Sequence, residues 1–156
     1  GGCTAHRQAQ RFPLYLVGCN GCGHVQLPVV VDPKRLFPVD YPYQSGTSAV
    51  FREHLKELAR VIDGALGDRV RVRDVACNDG TFVDEMRRIG LAADGVDPAV
   101  PAGKGLMRAF FTEDWAQTLI RDIQCSGVPV HESRYNVVTA LNVFAHIDDL
   151  EGGRAI

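Results

Sequence analysis

The chain has 156 residues, of which 46% are hydrophobic and 23% charged, enough for one domain with a real core. Its net charge is -2, with acids and bases interspersed, which argues against a nucleic-acid partner, since that requires a basic stripe. No apolar run approaches the roughly 20 residues that cross a bilayer, so no membrane partner is expected.

The chain opens on glycine and polar residues, which do not read as a signal peptide. Five cysteines without regular spacing argue against a disulfide framework and for a reducing cytoplasm. From Gly1 to about Asp40 the sequence is rich in Gly, Cys and Pro. Leu14 to Val17 and Val29 to Val31 are predicted strands on either side of the turn Cys19-Asn20-Gly21-Cys22. A second region, 41–156, opens with the turn-like Tyr41-Pro42-Tyr43-Gln44-Ser45-Gly46. A helix follows to about Leu66, with Phe51, Leu55, Leu58 and Ile62 on one face. Thr47 or Ser48 is its N-cap, and Gly64 and Gly67 end it.

Strands and helices then alternate. Val70 to Ala76 reads as a strand. Phe82, Val83, Met86 and Ile89 form the stripe of a short helix ending at Gly90. Ala92 to Val96 is a second strand and Ala109 to Phe111 a third, followed by a helix around Trp115 to Ile123. Tyr135 to Leu141 is a strong strand. This alternation predicts an α/β fold with a parallel sheet covered by helices. Arg69, Arg71 and Arg73 resist the pattern, because a central parallel strand should be apolar on both faces. Either this strand begins in solvent, or neighbouring acids pair with the arginines.

The most informative motif is Asp74-Val75-Ala76-Cys77-Asn78-Asp79-Gly80-Thr81 at the first strand-to-helix turn. Ligands of open α/β sheets bind outside the carboxyl ends of the strands. Small residues let the backbone approach a ligand, and a helix start offers free N–H groups. Asp97, followed by Pro98, ends the next strand, where a carboxylate can accept both ribose hydroxyls of a nucleoside cofactor. An NAD-type oxidoreductase wants Gly-x-Gly-x-x-Gly for its pyrophosphate, and only Gly80 is present. An acid followed by small residues at alternate positions, here Asp74, Ala76, Asn78 and Gly80, is common in S-adenosylmethionine-dependent methyltransferases. An ordinary turn without a ligand is the competing reading.

Four blocks in order resemble the sugar C-methyltransferase family. They are Cys19 to Cys22 with Val25-Gln26-Leu27; Tyr41 to Ser48 with His54; Asp74 to Thr81 with Gly95 to Pro98; and Asn142 to Ile147. The resemblance implies a Rossmann-like class I methyltransferase domain over 41–156, behind a zinc-ribbon-like segment over 1–40. It implies C-methylation of a nucleotide-linked keto-deoxysugar, with S-adenosylmethionine as methyl donor. A base removes the proton beside the ketone and the enolate attacks the methyl group, while the protein orients the reactants and holds the enolate charge. Tyr43 and His146 are implied at the reacting end. Tyr43, Ser45, Asp74, Cys77, Asn78, Gly80, Asp97, Pro98, Phe111 and Asn142 are implied around the cofactor, Phe111 beside the adenine.

Against the family's pattern the chain stops after the fourth strand. The family's Tyr and Glu-His cluster has no counterpart, which implies a piece that binds cofactor without turnover and leaves a sheet edge open to self-association. A non-catalytic cofactor-binding module is the alternative. The family's first Cys-x-x-Cys pair would lie upstream of Gly1. Structural zinc normally takes four ligands, and Cys19 with Cys22 supplies two. Cys3-Thr4-Ala5-His6 offers Cys3 and His6 as partners, and His24 is a further candidate. Each histidine also reads as a solvated residue. Bland readings stand beside the other candidates: a half-buried loop residue for Tyr43, a helix cap for Ser48, core packing for Phe110 and Phe111, a core-edge residue for His146, and solvated loop residues for His131 and Glu132.

Overall fold

A computed structural model describes residues 10–66, 70–101, 104, 106–115, 117 and 135–147. The chain divides into two compact units, Gly1–Asp32 and Pro33–Ile156. Among the described residues no helix is long and apolar enough to cross a membrane.

In the first unit β1 (Val17–Gly18) pairs antiparallel with β2 (Val25–Gln26), Val17 opposite Gln26. The expected hairpin is present, but its first strand keeps only Val17 of Leu14 to Val17, and its second is not Val29 to Val31. The cysteine turn fixes the register: the Cys19 N–H donates to His24 O at 2.8 Å and the Gly23 N–H to Cys19 O at 2.9 Å. Gly23 adopts φ 74°, which suits glycine. Pro28, lacking an N–H, then stops the ladder short of Val29. None of this unit's described residues is buried.

The second unit begins with α1 (Pro33–Leu36), followed by a 3₁₀ turn over Ser45–Thr47 and by α2 (Ala49–Leu66). Ser48 is the α2 cap: its Oγ accepts the Phe51 N–H at 3.2 Å. Gly64 lies inside α2 rather than ending it, and Gly67 lies outside the described residues. Then come β3 (Arg71–Val75), α3 (Thr81–Arg88), β4 (Ala92–Val96), β5 (Val137–Ala140) and a 3₁₀ turn over Phe144–His146. Gly90, at φ 96°, closes α3. Its N–H reaches Arg87 O and that of Leu91 reaches Met86 O, a Schellman arrangement.

The sheet is parallel in the order β4-β3-β5, with Val72 opposite both Ala93 and Val137. The third segment is displaced from its expected place at Ala109 to Phe111. Met107 instead forms a parallel bridge to Val96 beyond β4, donating to Gly95 O and accepting from the Asp97 N–H. In this register Ala109 would stand opposite Pro98, past the end of β4 and without an N–H to offer. In chain order the segments lie 3-2-1-4, the doubly wound arrangement. Residues 113–115 and 117 are helical, and the rest of the helix expected there lies outside the described residues.

One sheet face carries Val72, Ala93 and Val137 and is covered by α2 and α3. Leu55, Ala59 and Ile62 of α2 meet Phe82, Val83 and Met86 of α3 over it. The stripes read from periodicity therefore do face the core. For Arg73 the anomaly resolves on the other face, while Arg69 lies outside the described residues. Arg73 is 4% exposed and its guanidinium pairs with Asp94, its cross-strand neighbour on β4. Arg73 also donates to the Tyr135 hydroxyl, and that hydroxyl donates to Asp94 Oδ2 at 2.6 Å. The Tyr135 ring lies 4.1 Å from the guanidinium carbon.

Candidate functional site

The carboxyl end of β3 runs into a turn with an unusual backbone. Ala76, Asn78 and Gly80 have φ of 58°, 52° and 79°, all left-handed. Such angles suit glycine and are tolerated by asparagine, but disfavour alanine. The alternate small residues of the motif are the positions where the chain turns this way. Gly95 on β4 is small for a different reason. A Cβ there would fall 2.7 Å from Cys77 Cβ and Sγ and 3.0 Å from Val83 Cγ2, so the turn lies flat against β4.

Hydrogen bonds tie this turn to its surroundings. Asp97, 8% exposed, accepts the Asn78 N–H on Oδ2 at 3.0 Å and the Ala99 N–H on Oδ1 at 2.7 Å. The Asn78 side chain accepts the Ser45 N–H at 2.9 Å and donates to Tyr43 O at 3.1 Å. Asp79 accepts the Gly46 N–H at 2.9 Å on Oδ2, and the Thr81 N–H at 3.1 Å on Oδ1. Residues 43–46 and the 76–81 turn, separated by 33 positions along the chain at two of these bonds, are thus one surface.

Three carboxylates crowd this end of the sheet. Burial raises the proton affinity of Asp74 to about 7; the hydroxyl bond from Thr139 opposes this and the Asp97 charge adds to it. Asp97 is also raised, first by burial, against the Ala99 and Asn78 amides, with the Asp79 charge adding to the rise. Burial, then the charges of Asp74 and Asp97, push the Cys77 thiol up, so it is a small neutral residue in the turn rather than a nucleophile.

The structure brings Tyr43, Ser45, Asn78, Gly80 and Asp97 together, with Cys77 beneath and Pro98 following Asp97. Asp74 sits lower in β3, bonded at 2.7 Å by Thr139 of β5. Asn142, at φ 57°, lies just past the carboxyl end of β5. His146 is exposed, and its ring meets Phe37 edge-on at 5.2 Å; Phe37 in turn meets Tyr41 at 5.4 Å. Phe111 stands 5.5 Å from Trp115, whose ring lies 5.7 Å from the Arg73 guanidinium carbon. Phe110 is half-buried, and His54 stacks on Phe51 within α2.

Sequence reasoning did not single out Gly46, Asp79 or Thr139 as site residues. A signal for Thr139 was available: a hydroxyl within an apolar strand needs a partner, and so does Asp74 in the strand beside it.

The cysteine turn offers two of the ligands a zinc site needs. Cys19 and Cys22 are exposed free thiols, and the amides of Cys22 and Gly21 lower the Cys19 pKa, which favours a metal-binding thiolate. Among the described residues, however, no group of three or more candidate ligands forms, so two thiols fall short of a structural zinc set. Cys3 and His6 lie outside the described residues, as do His131 and Glu132.

Two curated relatives are the ubiquinone biosynthesis O-methyltransferases of Actinobacillus pleuropneumoniae serotype 7 (strain AP76) and serotype 5b (strain L20). Each is 28% identical over 83 residues, covering 51% of this chain and 36% of the relative. The chain therefore spans about a third of these relatives' length. The family described as "Methyltransferase domain" matches residues 44–152, most of the chain, and includes Ser45, Asn78, Gly80 and Asp97 of the site just described. On that match the chain belongs to the methyltransferase-domain family.

Proposed function

We propose that this chain is the cofactor-binding core of an S-adenosylmethionine-dependent methyltransferase. The observation that carries the reading is Asp97. Its carboxylate stands past the carboxyl end of β4, tied to the β3–α3 turn by the Asn78 amide. Each carboxylate oxygen takes one backbone N–H and keeps a lone pair, which fits two vicinal ribose hydroxyls. Asp74, Asp79 and Asp97 suit a cationic ligand and oppose a pyrophosphate, while Asp79 already occupies the Thr81 amide that a phosphate would seek. This favours a sulfonium nucleoside over a dinucleotide. When bound, S-adenosylmethionine supplies an electrophilic methyl group. The protein's part would be to hold the ribose at Asp97 and to present the acceptor to the methyl group, with Tyr43 and His146 proposed at the reacting end.

For the acceptor we propose a carbon of a nucleotide-linked keto-deoxysugar. The support is that two of the motif blocks behind that reading, around Tyr43 and around Asn78, meet through hydrogen bonds. Methylation of an oxygen is the second reading, favoured by the likeness to the two O-methyltransferases. Calorimetry with S-adenosylhomocysteine tests the cofactor. Losing one charged acceptor costs roughly 1.5–3 kcal/mol, so Asp97→Ala should bind about tenfold more weakly or worse. Equal affinity in variant and parent removes Asp97 from the site. Labelled methyl transfer by the full natural polypeptide, offered a keto-deoxysugar nucleotide and a phenol, decides between carbon and oxygen.

A further inference from the structure

Asn78 makes three hydrogen bonds, and they run to two distant parts of the chain. Its backbone N–H goes to Asp97, its Oδ1 takes the Ser45 N–H, and its Nδ2 donates to Tyr43 O. The left-handed φ of 52° alone would be met by glycine. Asparagine adds a side chain, and both ends of its amide are engaged by the backbone of residues 43–45. Gly46 continues the contact. A Cβ there would lie 2.5 Å from Thr81 Oγ1 and 2.9 Å from Asp79 Oδ2, so the loop backbone rests directly on the turn. Arg52 of α2 holds the Gly46 carbonyl from behind. Tyr43 itself, by contrast, is 51% exposed. The loop is pinned by its backbone and leaves its aromatic ring available to a ligand.

We infer that Asn78 is a positioning residue that latches the 43–46 loop to the turn holding Asp97, so that the loop and the ribose acceptor act as one unit in retaining a nucleoside ligand. The ligand half of this inference rests on Asp97 being the ribose acceptor, as argued above. Opening the latch leaves the ligand's contacts with Asp97 in place but frees the loop, so the effect falls on dissociation rather than association.

Asn78→Gly tests it, because glycine accepts the same φ and removes both side-chain bonds. Amide hydrogen exchange reads the loop directly. Ser45 loses its acceptor in this variant, whereas Gly46 keeps its own acceptor, Asp79. If the loop lifts as one piece, Gly46 loses protection as well, and S-adenosylhomocysteine dissociates roughly tenfold faster. Gly46→Val opens the latch from the loop side without altering Asn78, and should raise Ser45 exchange and ligand dissociation alike. It also decides the matter if Asn78→Gly does not fold. A folded Asn78→Gly in which only Ser45 gains exchange, with the parental dissociation rate, would overturn the latch and leave a local bond. A parent that binds no S-adenosylhomocysteine would instead sink the ribose reading, and Gly46 exchange in Asn78→Gly would still decide whether the loop is latched.

Discussion

Replacing Asp74 by asparagine should stabilise the fold, and should do so more strongly as pH rises. Asp74 is 3% exposed and lies between Gly95 of β4 and Thr139 of β5. Its proton affinity is raised to about 7 by burial, with the Thr139 hydroxyl opposing and the Asp97 charge adding. An unfolded aspartate titrates near about 3.9. Below that pH both states hold the proton and burial of a charge costs nothing. Between about pH 4 and about pH 7 only the folded state holds it, so stability falls as pH rises. A gap of about three pH units, at about 1.4 kcal/mol each, sets a ceiling of about 4 kcal/mol. Local relaxation lowers this, and about 2 kcal/mol is a reasonable expectation. Asparagine has nearly the same shape, can still accept from Thr139 and never ionises. Urea unfolding of parent and variant at about pH 4 and about pH 8 measures the effect, with other titrations cancelling in the difference. The variant should be level with the parent or slightly weaker at the lower pH, and about 2 kcal/mol stronger at the higher. A difference that stays flat with pH would refute the burial argument. One that grows in the parent's favour would show an ionised Asp74 held by a cation.

Two further substitutions probe the same sheet. Asp94→Ala leaves the Arg73 guanidinium buried without its carboxylate and should cost about 3 kcal/mol in urea unfolding, much of it recovered when Arg73→Met is added. A loss under about 1 kcal/mol would show that water reaches Arg73. Ala76→Gly relieves a left-handed alanine at φ 58° and should raise stability by about 1 kcal/mol, read as a higher thermal midpoint. No gain would mean that the turn is held in a shape alanine accepts.

The sequence carried the elements whose ends are marked by punctuation. Ala92 to Val96 was read to the residue, because Gly90 closes the helix before it and Asp97-Pro98 ends it. Strands whose place depends on a partner were read less well. Val29 to Val31 has strand composition, but the ladder is set by the cysteine turn and stops before Pro28. Phe110 and Phe111 drew a strand to themselves, while the third segment is placed by where β4 ends. At the site, Asn78, Gly80 and Asp97 were legible because side-chain size and charge announce them. Gly46 and Asp79 were not, because the bond between them joins a carboxylate to a backbone amide 33 residues away, and a backbone amide leaves no mark in the sequence.

The turn combines two features that weaken a fold, left-handed backbone at a non-glycine residue and carboxylates at close quarters. Neither is forced by the sheet, since glycines at Ala76 and Asn78 and a neutral residue at Asp74 would serve β3 as well. What holds the turn is support from outside it: Gly95 of β4, against which Cys77 and Val83 pack, on one side, and the 43–46 loop bonded to Asn78 and Asp79 on the other. Crowded carboxylates hold protons more tightly than separated ones, and a cation seated among them reverses that. A cationic nucleoside would therefore meet carboxyl groups raised by burial and mutual repulsion, and would lower their proton affinity as it binds. Ligand affinity should then rise with pH in the same window in which the ligand-free fold loses stability through Asp74, because one set of charges governs both.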